Sequence, residues 1–134
     1  MILNLKTGDK ISRYKDGIII HYGIYAGFFH GQHWVAENNV GTGVRYVTFW
    51  QFLGGKKLLP VERFRGTENQ RKQIIPSINR LLGTQYDLFY YNCEHFANEV
   101  QLGIRESPQI KVVTNIAFGI AVLCLANYVS KRAA

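Results

Sequence analysis

Short β-branched and aromatic runs, punctuated by glycine turns, fill the first half of the chain. Apolar residues at helical spacing fill the second. Gly8-Asp9 marks a turn after a lead-in or edge strand, and Ile11 to Tyr14 reads as a short strand closed by Lys15-Asp16-Gly17. Ile18 to Gly27 is the most strand-like stretch. It turns near His30-Gly31 and returns as Gln32 to Asn38. After Gly41-Thr42-Gly43, Val44 to Thr48 predicts another strand, and Phe49 to Leu53 a helical turn before Gly54-Gly55. Leu58 to Phe64 predicts a further strand in spite of Pro60, which suits an edge.

From Thr67 or Asn69 the period changes. Ile74, Ile75, Ile78, Leu81 and Leu82 share a helical face that ends at Gly83, with Pro76 predicting a kink or a fresh start. Tyr86 to Tyr91 is an aromatic link into a second helix. Asn92 is its N-cap, Gly103 its stop, and Phe96, Val100 and Ile104 its apolar face. Strands followed by helices predict an α+β fold, an antiparallel sheet packed against helices.

The last stretch differs in kind. Val112 to Val129 carries no charge and is flanked by Lys111 and by Lys131-Arg132. About 18 residues rise ~27 Å as a helix, against a hydrocarbon core of ~30 Å. The alternatives are a membrane anchor and a buried C-terminal helix, and apolar residues on every face favour the anchor. Asn115, Asn127 and Tyr128 suit its interfaces. The expected division is a catalytic domain over residues 1–108 and a hydrophobic tail over 109–134.

At 134 residues the chain holds one core, and 47% hydrophobic and 13% aromatic content indicate a folded protein. The net charge of +7 is spread without a dense basic run or nucleic-acid motif, so anionic lipid headgroups explain it at least as well as nucleic acid. Cys93 and Cys124 make no disulfide framework, and the first residues lack a secretory h-region, which predicts a reducing, cytosolic setting. No metal-ligand spacing appears and no cofactor is expected.

Cys93 at a helix start has two readings. One is a small buried thiol; the other is a nucleophile whose thiolate the helix terminus favours. A nucleophile needs a base, and His21, interrupting an apolar strand, is the best candidate. The Cys93 backbone N–H is the natural oxyanion donor. His95, two residues beyond Cys93, is expected to be structural, and His30 a turn residue.

His21-Tyr22-Gly23-Ile24-Tyr25-Ala26-Gly27, followed far downstream by Asn92-Cys93-Glu94-His95-Phe96, resembles the lecithin:retinol acyltransferase family. The likeness runs from about Leu5 to Gly103 and includes Tyr86-Asp87-Leu88. It implies a permuted papain-like fold, Cys93 as nucleophile and His21 as base. It also implies a polar third residue on the return strand. Counting points to His33, but the longer hairpin moves the facing position to Glu37, with Asn38 adjacent. The implied activity is thiol acyl transfer or phospholipase A action on acyl lipids at a membrane. The rivals are a papain-like peptidase or amidase and a non-catalytic binding protein keeping both motifs.

Overall fold

A computed structural model describes residues 4–133. Four antiparallel strands, β1 (Lys10–Tyr14), β2 (Ile20–Phe29), β3 (Gln32–Asn39) and β4 (Gly43–Thr48), form one sheet in chain order. Five helices follow: α1 (Phe49–Leu53), α2 (Glu68–Lys72), α3 (Ile74–Leu81), α4 (Cys93–Leu102) and α5 (Pro108–Ala133). This is the predicted α+β arrangement, with a C-terminal apolar helix. The lead-in expected before Gly8 falls partly on residues 1–3, outside the described residues.

The β2–β3 hairpin turns through His30 and Gly31, both at positive φ, as a two-residue loop between right-twisted strands requires. Alternation then sends residues to two faces. Ile24, Ala36 and Val44 pack against Ile74 and Ile78 of α3 and Phe96, Ala97 and Val100 of α4. Ile11, Val35 and Val47 pack against Phe49, Phe52 and Leu53 of α1. Helices α3 and α4 therefore cover one face and α1 the other.

Three expectations are corrected. Leu58 to Phe64 is extended but is not a strand: Glu62 makes a single bridge to Lys10, and Leu59 donates to the Ser12 carbonyl. Pro60 between them has no N–H to continue a ladder. The long helix breaks at Gln73, upstream of Pro76, because the proline ring crowds the Lys72 carbonyl and leaves it without an N–H partner. Leu82 and Ile104 leave the core: each lies just past a helix end and is about half exposed. Gly103 at φ 71° stops α4, and Ile104 donates back to Asn98 in a Schellman-like closure.

α5 is not a buried core helix. Pro108–Lys131, 24 residues, is long and apolar enough to cross a membrane, and none of its window is buried.

Candidate active site

The site begins with a gap in the sheet. The β2–β3 ladder starts at Gly23 opposite Glu37, whereas β1–β2 pairing continues to Tyr14 opposite Ile20 and β3–β4 pairing to Asn39 opposite Gly43. Ile20 to Tyr22 therefore have no partner on the β3 side. The start of α4 occupies this opening: the Cys93 thiol lies 3.9 Å from the Ile20 carbonyl, and the Tyr22 backbone also contacts it.

Asn92 fixes the helix start. Its side-chain oxygen accepts from the amides of Glu94 (2.9 Å) and His95 (3.1 Å), while its own amide donates to His95 Nδ1 at 3.2 Å. This is a capping box with histidine where glutamate or glutamine usually stands. Burial lowers the His95 pKa, which keeps the ring neutral and able to accept. The cap uses the amides after Cys93 and leaves that of Cys93 itself directed at its thiol.

His21 is buried, with its ring stacked on Phe52 of α1 at 5.4 Å between centroids. Its Nε2 lies 2.8 Å from Glu37 Oε2. Glu37 does not face His21 across the ladder; it faces Gly23 and reaches His21 diagonally. Gly23, opposite Glu37, sits where a side chain has no room. A Cβ there would stand 2.7 Å from Val35 Cγ1 and 2.8 Å from Phe52 Cε2. The other Glu37 oxygen accepts from Arg45 Nε (3.1 Å) and Nη2 (2.9 Å). Burial alone would raise the Glu37 pKa, but the bonds and charges of His21 and then Arg45 outweigh it and hold it below the ordinary 4.5. An ionised Glu37 accepts from Nε2–H, so Nδ1 is the nitrogen free to act as base.

His21 and Cys93 line one cavity of about 440 Å³ together with Ile19, Val40, Tyr86 and Leu88. A second cavity of about 240 Å³ meets it at Cys93, Ile19 and Leu88 and is closed by Gln109, Ile110 and Val113 of α5. The thiol does not rest as a preformed thiolate. Burial pushes its pKa above 9.0 and Glu94 adds to this; the Tyr22 backbone, Lys15 and the Cys93 amide oppose without prevailing. The helix terminus is one favourable contribution against a larger desolvation cost.

The remaining candidates go elsewhere. His33 pairs with Phe28 near the hairpin tip and bonds the Tyr25 hydroxyl at 2.6 Å. Asn38 lies on the opposite sheet face from Glu37 and donates to the Tyr91 carbonyl at 2.8 Å, tying β3 to the link before Cys93. Among the described residues no three His, Cys, Asp or Glu side chains converge as metal ligands would. Sequence reasoning missed Arg45, although a tight turn pairing Asn39 with Gly43 sets Arg45 opposite Glu37. It also missed Gln109, whose amide meets both backbone groups of Ile20 at 3.4 Å. No local pattern announces a contact 89 residues away.

The model of the lecithin retinol acyltransferase family matches residues 3–106, and the chain belongs to that family. Four solved chains match its fold. One, the crystal structure of metalloprotein yiiX from Escherichia coli O157:H7, shares 17% identity at a TM-score of 0.59 over 80% of this chain and 78% of its own. No curated protein sequence matches.

Proposed function

We propose that this member of the lecithin retinol acyltransferase family is a thiol acyltransferase and phospholipase A that forms a thioester on Cys93. The observation that carries the reading is the shared cavity of Cys93 and His21, with His21 Nε2 held 2.8 Å from Glu37. His21 Nδ1 takes the thiol proton as Sγ attacks the ester carbonyl of a lipid. The developing oxyanion is met by the Cys93 amide, which the Asn92 cap leaves unused. As the C–O bond breaks, the imidazolium returns its proton to the departing alkoxide. Water then releases a fatty acid, or an amine or hydroxyl takes the acyl group. Glu37 holds the tautomer and stabilises the imidazolium, and Arg45 keeps Glu37 ionised.

Residues 1–108 form the catalytic part in this reading and residues 109–134 the membrane tail, with the catalytic part in the cytosol. The exposed, apolar α5 supports the tail assignment. Intact-mass spectrometry after incubation with a short-chain phosphatidylcholine tests the chemistry. A transient adduct of one acyl mass is expected on the native chain, and none on Cys93→Ala or His21→Ala. Folded native protein with no adduct and no lipid turnover returns the choice to the peptidase or binding reading.

A further inference from the structure

Three separate segments turn apolar side chains outward around the mouth of the Cys93 cavity. They are Ile18 and Ile19 in the β1–β2 turn, Val40 in the β3–β4 turn, and Leu88, Phe89 and Tyr90 before α4. Ile18 is 91% exposed and Tyr90 78%. Single exposed apolar residues need no explanation, but a contiguous rim marks an interaction surface. Four of these six line the cavities that meet at the thiol.

The rim is continuous with α5. Ile110 and Val113 form one wall of the second cavity, so the apolar helix leaves the domain from the edge of the opening. Its first turn is bolted there. Ser107 Oγ donates to Glu94 Oε2 at 2.6 Å, the Gln109 amide donates to the same oxygen at 3.0 Å, and the Gln109 side chain bonds Ile20. A helix crossing a bilayer sets the depth of its first turn, and these bonds hold the cavity mouth at that depth.

We infer that the rim around Cys93 is a lipid-bilayer docking face, formed by Ile18, Ile19, Val40, Leu88, Phe89 and Tyr90 and pressed into the membrane interface beside α5. The inference rests on the acyl-transfer and membrane-tail reading above. Docked this way, the thiol faces acyl chains at the level where lipid esters lie, and an ester reaches Sγ without drawing its chain through water.

The test uses the full chain reconstituted in phosphatidylcholine vesicles, with Ile18→Ser/Tyr90→Ser, two rim residues that do not line the cavities. Long-chain phosphatidylcholine turnover in the vesicles is expected to fall at least about tenfold, while hydrolysis of a monomeric short-chain ester stays within about twofold. Unchanged vesicle turnover, or equal loss on both substrates, overturns the docking face. A second arm is independent of catalysis. Tyr90→Trp in vesicles of brominated-acyl lipid should add fluorescence quenching beyond that of Trp34 and Trp50 in the parent chain. No added quenching overturns the docking face whether or not the chain turns lipid over. Added quenching without turnover in the parent supports docking and places the failure in the acyl-transfer reading.

Discussion

At the scale of single residues the acyl-transfer reading turns on two opposed pKa directions, one at Cys93 and one at Glu37. Burial keeps the Cys93 proton on, while His21 and Arg45 keep the Glu37 proton off. A thiol with a raised pKa reacts through its thiolate fraction, so alkylation must accelerate as pH rises. Iodoacetamide labelling of Cys93, followed by site-resolved mass spectrometry, should still be climbing above pH 9.0. A plateau reached at acidic pH would indicate a preformed thiolate–imidazolium pair instead. Glu37→Gln keeps the shape but can offer its amide to Nε2, which favours the wrong tautomer. Its acyl-transfer kcat should fall on the order of 10²–10⁴-fold. An Arg45→Met chain, with the carboxylate less firmly held ionised, should lose activity at a higher pH on the acid side than the native chain.

At the scale of elements, the helix carrying Cys93 is defined by its ends. Asn92→Ala removes the acceptor for two amides and should cost about 1 kcal/mol in urea unfolding. It should also lower acyl transfer, because the first turn no longer presents the Cys93 amide in one orientation. Gly103→Ala places a Cβ at φ 71° and should cost about 1 kcal/mol while leaving the distant thiol chemistry unchanged. In the sheet, Gly23→Ala should cost about 1–3 kcal/mol, since its Cβ would meet Val35 and Phe52. Because Phe52 also backs the His21 ring, this substitution should reduce activity as well as stability. Retained turnover in folded Gly23→Ala would show that His21 does not need the Phe52 stack.

At the scale of the whole molecule, the site exists because three strand pairings end at different places. The missing β2–β3 pairs open the sheet, α4 fills the opening with its N-terminus, and the first turn of α5 closes the side. The same architecture makes stability acid-sensitive. Glu37 has a folded pKa below 4.5, so the stability it contributes is complete above the unfolded value and disappears as pH falls through the folded one. Thermal unfolding followed from pH 6 to pH 3 should therefore show a smaller acid loss in Glu37→Gln than in the native chain. Equal losses would mean that other carboxylates dominate.

Local pattern was sufficient wherever the cause was local. Glycine and aspartate turns, β-branched runs, Asn92 before a helix and Gly103 after it act within a few residues, so the sequence by itself determined β1 to β4, α4 and α5. The two motifs around His21 and Cys93 were equally visible, because each occupies one short stretch. Pro60 interrupts the ladder within the stretch that reads as a strand, and Pro76 acts one turn upstream, so the helix break falls at Gln73 rather than at the proline. Only the tertiary structure decided that Glu37 meets His21 diagonally over Gly23 rather than face to face. Only it brought Arg45, Phe52 and Gln109 to the site, and only it decided that burial outweighs the helix terminus at Cys93. The reason is common to all of these. Register, sheet gaps and burial are sums of contacts between residues far apart in sequence, and no window along the chain contains both partners.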